Sequence, residues 1–310
     1  MKRIAIAGGT GFVGSHLARA LAARGDQVLV FTRNVKNQVR KGARGLPEQV
    51  ELCEWDPLSN GAWQEALDGM DVVIQLAGEV LVGRRYTESL KQEFYSSRVT
   101  STERLVDGIE RAKQKPSVFV CGSAIGYYGA DRGTTVLDET SDAGDDFLAK
   151  LCVDWEAAAR RAEGFGVRVV SARIGIVLAR GGGALDQMAL PFKFFVGGPI
   201  GSGKQVVSWI HIDDAVEIFL RCVDDAALAG PVNVTAPQPA SNAELSRAIG
   251  RALGSPAWLK VPGFALKAMF GEGAQPILGG QWVVPAVMLQ HGFQFRHPEV
   301  GEAVNHALKA

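Results

Sequence analysis

The stretch IAGGTGFVGSHLARAL, residues 6–21, decides the fold of this chain. Gly8, Gly11 and Gly14 follow G-x-x-G-x-x-G spacing, directly after the apolar run RIAIAG (3–8) and directly before a stretch with helical periodicity. Such glycines permit a tight turn and let a pyrophosphate approach the backbone, while the helix N-terminus offers free amides and a partial positive charge. The stretch therefore predicts a strand, a turn and a helix that together bind a dinucleotide.

Apolar runs alternate with helical stretches through the rest of the first half. The runs with the pattern of strands are QVLVFTR (27–33), VELCEW (50–55), DVVIQLAG (71–78), SVFVCGS (117–123) and VRVVSARIGIVL (167–178). Short continuous apolar strands separated by helices are typical of a parallel sheet that is covered on both faces. We therefore predict an α/β protein whose residues 1–178 form a doubly wound parallel sheet, a Rossmann domain.

The second half of the chain has a different sequence pattern, in which a glycine-rich and irregular stretch is followed by short strand-like and helical segments. We predict a smaller, mixed α/β region on the substrate side over residues 179–310, with a distinct C-terminal part at 255–310. The chain is expected to recross to the first domain around 205–236. Within this region Ser241 and Glu244 fit a capping box at the start of a helix.

Charge, cysteines and histidines exclude several classes of protein. Lys plus Arg equals Asp plus Glu at 33 each, so no charge excess indicates nucleic acid or an anionic membrane as the main partner. No run approaches ~18 uncharged apolar residues, which predicts that no segment spans a membrane. The four cysteines are far apart without a CxxC pair, as in a reduced cytoplasmic protein. The five histidines form no cluster with cysteines or carboxylates in the sequence, so we expect no metal site.

The end of the second strand bears on the choice of dinucleotide. An NAD site places a carboxylate there to hold the ribose 2′-hydroxyl. In this chain Thr32 and Arg33 stand at that point, and no acid follows directly. A guanidinium suits a 2′-phosphate, which it can hold with two hydrogen bonds, so the residues favour NADP(H) over NAD. The alternative, a solvated basic loop, stays open.

Six motifs extend the pattern over nearly the whole chain. They are GGTGFVG (8–14), LAGE (76–79), GSAIGYYG (122–129), RIGIVLARGGGAL (173–185), LPFKFFVGGPIGSGKQVVSWIHIDD (190–214) and GFQFRHPE (292–299). In this order they resemble the epimerase-family, atypical short-chain dehydrogenases/reductases that carry a small C-terminal domain. The resemblance implies a doubly wound Rossmann domain, bound NADP(H) and a substrate that is unknown for most members.

The predicted cofactor contacts come from the glycine turn, the ends of the second, fourth and fifth strands, and the helix of SSRVTST (96–102). In that helix Arg98 stands where relatives carry an asparagine, and it could reach a phosphate or a substrate anion. A plain surface arginine is the alternative. The full predicted set is Gly8, Thr10, Gly11, Phe12, Val13, Gly14, Thr32, Arg33, Leu76, Ala77, Gly78, Glu79, Arg98 and Ser123.

The catalytic residues of the wider family are a serine after the fifth strand, a tyrosine, and a lysine four residues after the tyrosine. Ser123 matches the serine, and Lys150 in DDFLAKLCVDWE (145–156) matches the lysine. Asp146 and Phe147 stand where the tyrosine is expected. Phe has no proton to give, and Asp is ionised at neutral pH unless it is strongly buried. The usual proton donor is therefore missing.

Other residues could replace this donor. Tyr127 or Tyr128 follows Ser123 at the carboxyl end of a strand, and Glu79 follows the fourth strand, where ligands bind in such sheets. We predict Ser123, Tyr127 and Lys150 as the catalytic set. The alternative for Lys150 is a solvated charge on an amphipathic helix whose core stripe is Phe147, Leu151, Trp155 and Ala158.

Two motifs of the second half are not expected to carry chemistry. GPIGSGKQ (198–205) nearly matches a P-loop, but Gln205 stands where a magnesium-binding hydroxyl is needed, so we predict a lid or substrate wall. SWIHIDDAV (208–216) resembles a family motif in which His211 and Asp213 brace the substrate region.

Two functions follow from these observations. The first is a cytoplasmic NADP(H)-dependent oxidoreductase or epimerase-like enzyme that acts on an unidentified small polar molecule. The second is a non-catalytic NADP(H)-binding sensor or regulator, which the missing tyrosine favours. A closed substrate region favours the enzyme. The residues leave open whether the chain acts alone or as a homo-oligomer.

Overall fold

The computed structural model describes residues 1–40 and 45–309. Its strands are β1 (Arg3–Ala7), β2 (Gln27–Thr32), β3 (Glu51–Glu54), β4 (Val72–Gln75), β5 (Val118–Ala124), β6 (Val136–Leu137), β7 (Arg168–Ile174), β8 (Ile176–Leu178), β9 (Val206–Val207), β10 (Trp209–His211), β11 (Gly230–Val234), β12 (Ala240–Ser241) and β13 (Trp282–Val283). Its α-helices are α1 (Phe12–Ala23), α2 (Val35–Arg40), α3 (Glu88–Tyr95), α4 (Ser101–Arg111), α5 (Phe147–Arg160), α6 (Gly183–Lys193), α7 (Ile212–Asp224), α8 (Asn242–Leu253), α9 (Gly263–Phe270), α10 (Gln275–Leu278), α11 (Ala286–Gln290) and α12 (Val300–Lys309).

Seven parallel strands form the main sheet in the order β11-β7-β5-β4-β1-β2-β3. The strand order reverses beside β1, with β2 and β3 on one side and β4, β5 and β7 on the other. This arrangement confirms the predicted α/β class and the doubly wound parallel sheet. The last strand, β11, comes from beyond residue 178, so the chain returns to the sheet after building part of the second region. Ligands of such sheets bind where the order reverses, at the carboxyl ends of the strands.

Burial on both faces explains why the strands are continuous apolar runs. In β1, the four residues 4–7 are fully buried. One face of the sheet packs on α1 and α7 through Leu17, Leu21 and Phe219. The other packs on α4 and α5 through residues that include Leu105 and Trp155. A strand with a helix against each face has no side exposed to water. Apolar and polar residues therefore do not alternate along these strands.

A second core joins the segments after β7. Here β8 pairs with β10, and α6, α8 and α12 pack around the fully buried Trp209. Helix α8 opens with the predicted capping box, which is confirmed: the Glu244 amide donates to the Ser241 hydroxyl oxygen (3.2 Å), and the Ser241 amide donates to the Glu244 carboxylate (2.8 Å). This region lies against the carboxyl ends of β1 and β4, where it closes one side of the cavity described below.

Candidate functional site

The glycine turn forms a cradle at the carboxyl end of β1. The Gly11 amide donates to the Gly8 carbonyl oxygen (2.8 Å), and α1 begins at the next residue with no side chain capping its N-terminus. Gly8 has a φ of +82°, and a Cβ there would overlap the backbone of Leu76. A Cβ on Gly14 would overlap the Gly8 carbonyl oxygen. The first turn of α1 holds no acidic residue, so its free amides suit an anion.

A cavity of about 1330 Å³ opens from this cradle and extends to the second region. Its far wall contains Gly198 and Ile200 of the near-P-loop segment, which agrees with the predicted substrate wall. The predicted cofactor residues that line it are Gly8, Gly11, Phe12, Val13, Gly14, Leu76, Gly78, Glu79 and Arg98. Thr10, Ala77 and the buried Thr32 do not line it. Most of the predicted cofactor set thus lies around one volume large enough for a dinucleotide end and a small substrate.

Arg33 lines a neighbouring cavity of about 890 Å³, together with Trp55, Asp56 and Leu58. Glu79 belongs to the walls of both cavities. The Arg33 side chain is 74% exposed, and its Nη1 lies 3.4 Å from Glu79 Oε1. An exposed ion pair with this N–O distance is weak, so a bound phosphate can replace Glu79 as the partner of the Arg33 guanidinium. The two cavities therefore share a wall at Glu79, near the ends of β2 and β4.

Arg98 is a buried cation on the wall of the larger cavity. A π-helical turn (Ser96–Thr100) between α3 and α4 carries it, and such turns are frequent at functional sites. Its Nη2 donates to the Glu79 carbonyl oxygen (2.7 Å), and its guanidinium carbon lies 5.5 Å from the Trp155 ring centroid. Among residues 1–40 and 45–309, no carboxylate comes within ion-pair distance of it. Burial lowers the pKa of the Arg98 guanidinium from its usual value.

Ser123, predicted as both a catalytic and a cofactor residue, is only 2% exposed and does not line either cavity. Its hydroxyl donates to Glu156 Oε1 (2.7 Å). The same carboxylate accepts two further hydrogen bonds from Arg173, from Nε at 2.8 Å and from Nη2 at 3.0 Å. The sequence reasoning missed this ion pair, because Glu156 had the pattern of an ordinary helix residue and Arg173 lay inside an apolar strand.

Tyr127 and Tyr128 belong to the same network. The fully buried Tyr128 hydroxyl donates to Asn233 Oδ1 (2.7 Å) and accepts from Arg173 Nη1 (3.0 Å). Burial raises the pKa of Tyr128 to about 12 despite the nearby guanidinium. The Arg173 guanidinium carbon also lies 3.4 Å from the centroid of the Tyr127 ring. Both tyrosines thus pack around one arginine behind the end of β5.

The stretch that replaces the usual tyrosine begins a helix. Asp146 caps α5, since its Oδ1 accepts from the Ala149 amide (2.9 Å), and its Oδ2 accepts from the Ala130 amide (2.6 Å). The core stripe is confirmed, with Phe147 half-buried and Leu151, Trp155 and Ala158 buried. Lys150 is exposed, and the structure does not bring it to the wall of either cavity. Its catalytic role stays a prediction.

Tyr86 lies close to the position of the missing tyrosine, a proximity that the sequence did not indicate. Its ring contacts Phe147 (centroids 6.0 Å apart) and Phe94 (5.3 Å), and its buried hydroxyl has no hydrogen-bond partner among the residues that the structure describes. Burial raises the pKa of Tyr86 to about 12, with the charge of Arg98 opposing. No motif surrounds Tyr86 in the sequence, so only the folded chain reveals its proximity to Phe147.

Three histidines and one aspartate meet at a separate place in the fold. One ligand atom from each of His211, Asp213, His297 and His306 lies within 4.8 Å of the others. The expectation that the histidines form no cluster with carboxylates is therefore wrong. The sequence spacing hid the cluster, because two of its members come from the start of α7 and two from the last stretch of the chain.

In the described ranges, 1–40 and 45–309, no helix combines the length and the apolar composition that a membrane span requires.

Comparison with known proteins gives the family. The NAD dependent epimerase/dehydratase family matches residues 4–234, and a domain of unknown function, DUF1731, matches residues 261–307. An epimerase family protein of Mycobacterium leprae is 41% identical over 305 residues, which cover 98% of this chain and 95% of the relative. The epimerase family protein SDR39U1 of Bos taurus is 38% identical over 311 residues, covering 99% of each.

A solved structure agrees with the fold over nearly the whole chain. The crystal structure of human epimerase family protein SDR39U1 (isoform2) with NADPH has a TM-score of 0.88 at 36% identity and covers 99% of each chain. The glycine cradle, the strand order and the two matched regions lead to the same conclusion. The chain belongs to the NAD dependent epimerase/dehydratase family, with a DUF1731 domain after the sheet.

Proposed function

We propose that this protein is an NADP(H)-dependent oxidoreductase or epimerase-like enzyme that acts on a small polar substrate. The observation that carries the proposal is the continuity between the glycine cradle and a large cavity with a buried cation, Arg98, on its wall. The cradle fits a dinucleotide, because the absence of a Cβ on Gly14 lets α1 pack against the Gly8 backbone, which brings the free amides of its first turn to the position of the pyrophosphate. The human relative solved with NADPH supports the same cofactor.

The 2′-phosphate of NADP(H) is assigned to Arg33 at the end of β2. In the Arg33→Ala variant we expect the Kd for NADPH to rise roughly 10- to 100-fold, because a charge-assisted hydrogen bond is lost. The Kd for NADH should change by less than about threefold, since NADH has no phosphate there. Quenching of protein fluorescence by each nucleotide measures both constants. Lys36→Ala, which removes an exposed cation outside both cavities, is the matched control. If Arg33→Ala weakened the binding of NADPH and NADH equally, the assignment would be refuted.

Arg98 is assigned to the reacting oxygen of the substrate. A bound nicotinamide supplies or accepts a hydride at a carbonyl or carbinol carbon. As a hydride reaches a carbonyl carbon, negative charge develops on its oxygen, and a buried guanidinium stabilises that charge better than an exposed one. Arg98 has no carboxylate partner among the described residues, so its charge is available to the cavity. The proton that completes the alcohol then comes from water in the cavity, whose wall includes Glu79.

The Arg98→Met variant tests this assignment. We expect kcat to fall roughly 100- to 1000-fold, as when an oxyanion-stabilising donor is removed, with little change in the Kd for NADPH. The assay is NADPH oxidation at saturating cofactor against a panel of aldehydes, ketones and keto acids. Arg111→Lys at the end of α4 is the control, since its side chain is exposed and lies outside both cavities. An unchanged kcat in Arg98→Met would contradict the assignment.

A specific observation favours the second function, an NADP(H)-binding sensor. Ser123 and Tyr128 donate their hydroxyl protons to Glu156 and Asn233, and neither residue lines the cavity. A binding protein has no need of an acid beside the nicotinamide. The same panel decides between the two functions: tight NADPH binding without oxidation on any substrate supports the sensor, and turnover supports the enzyme.

The cytoplasm is the proposed location. Cys53, Cys121, Cys152 and Cys222 are all free thiols, and three of them are buried, as in proteins of a reducing compartment. The proposed partner is a small molecule, with neither nucleic acid nor a membrane surface involved.

A further inference from the structure

The histidine cluster joins two parts of the fold that are distant in sequence. His211 ends β10 and Asp213 lies in the first turn of α7, whereas His297 precedes α12 and His306 lies in its last turn. None of the four lines either cavity. His211 and His297 are buried, Asp213 is half-buried and His306 is exposed, so the cluster is reachable from solvent at one side.

The donor atoms lie close to the spacing of a metal site. His211 Nε2 lies 3.1 Å from His306 Nδ1, and His297 Nε2 lies 3.5 Å from the nearer carboxylate oxygen of Asp213. Ligand atoms of a tetrahedral zinc ion with bonds of 2.0–2.1 Å are about 3.3–3.4 Å apart. These two pairs already match this spacing, and the four ligand atoms all lie within 4.8 Å of one another.

The three rings of the cluster pack closely on one another, with ring centroids 4.0–4.9 Å apart. Within the described ranges, the buried His297 Nδ1 has no hydrogen-bond partner. His211 Nε2 and His306 Nδ1 form a hydrogen bond (3.1 Å), which a metal ion bound between the two nitrogens would replace.

A carboxylate behind one ring can orient it as a metal ligand. His297 Nδ1 lies 3.5 Å from Glu302 Oε1. Such histidine–carboxylate contacts fix the ring orientation and increase its basicity in known metal sites.

We propose that His211, His297, His306 and Asp213 bind a zinc ion that fastens the C-terminal segment to the start of α7. Three imidazole nitrogens and one carboxylate oxygen are a donor set that suits zinc, whereas calcium and magnesium prefer oxygen ligands throughout. The site is independent of hydride transfer, since it lies away from the cradle and from Arg98.

Zinc binding by the protein without a histidine tag tests the site. After dialysis against a chelator, zinc is added in competition with a chromogenic indicator, and cobalt(II) is used as a spectroscopic probe of tetrahedral geometry. We expect one ion per chain, with a zinc-dependent rise in Tm. His306→Ala removes an exposed ligand with little effect on folding and should weaken zinc binding at least about 100-fold. Asp213→Asn should weaken it as well, since the neutral amide replaces an anionic ligand.

His291→Ala is the matched control, because His291 also pairs with an aspartate but lies outside the cluster. It should bind zinc like the unchanged protein. The proposal is overturned if the unchanged protein binds no zinc with a Kd below about 10 μM, a weak limit for a structural site. It is equally overturned if His306→Ala and Asp213→Asn bind zinc as tightly as the control. Neither readout depends on NADP(H) or on turnover.

Discussion

Replacing Glu156 with alanine should lower the free energy of unfolding by about 3–5 kcal/mol, because the change leaves the Arg173 guanidinium buried without its partner. Both side chains are only 3% exposed, and Glu156 accepts from Ser123 as well as from Arg173. A lone buried charge costs far more than a surface charge, since water cannot replace the lost carboxylate. Urea denaturation followed by circular dichroism measures the loss directly.

Two further variants make this result specific. Glu163→Ala removes an exposed glutamate from the short turn that follows α5 and should change the unfolding free energy by less than about 0.5 kcal/mol. The double variant Glu156→Leu with Arg173→Leu should recover much of the loss, because replacing a buried pair by apolar groups is far less costly than breaking it. A loss below about 1 kcal/mol in Glu156→Ala would contradict the view that this pair holds the turn at Tyr127 and Tyr128 in place.

In the Gly14→Ala variant the affinity for NADPH should fall at least about 100-fold, which corresponds to roughly 2.8 kcal/mol of binding free energy. The new methyl group would overlap the Gly8 carbonyl oxygen, so α1 must move away from β1. That movement displaces the amides of the first helical turn, which hold the pyrophosphate in our proposal. Overpacking of this kind should also lower stability by about 1–3 kcal/mol.

Gly164→Ala is the control for this substitution. Gly164 has no heavy atom within 4 Å of the position that a Cβ would take, and its φ is not in the left-handed region. Its replacement should leave NADPH binding unchanged. Fluorescence titration gives the affinities, and thermal unfolding without nucleotide separates the loss of binding from the loss of stability. If Gly14→Ala kept the original affinity, the cradle would not be the pyrophosphate site.

The two predictions bear on different parts of the molecule. The second prediction tests whether the glycine cradle holds the pyrophosphate, and the first tests whether the Glu156–Arg173 pair holds Ser123 and the two tyrosines in place. In this chain the residues that resemble catalytic groups are held in a structural network, while Arg98 lies on the cavity wall. An enzyme on this fold would therefore depend on a buried cation more than on a phenol.

Local sequence patterns predicted the sheet, the glycine cradle and many of the residues that line the larger cavity. The G-x-x-G-x-x-G spacing of Gly8, Gly11 and Gly14 predicts the turn, and this spacing lies within seven consecutive residues. A buried parallel strand such as β1 is recognisable from its unbroken apolar run. The capping box at Ser241 and the packing stripe of α5 were predictable for the same reason. Each depends on neighbours along the chain, and the sequence displays those neighbours directly.

Only the tertiary structure decided which distant side chains meet. Glu156 and Arg173 are 17 residues apart on a helix and a strand, and His211 lies 95 positions before His306. Their contacts depend on the packing of whole elements, so no spacing rule connects them. The same holds for Ser123, whose hydroxyl donates to Glu156 because the packing of α5 places that carboxylate 2.7 Å away. The sequence alone determined the binding fold, and packing determined which side chains are available at the site.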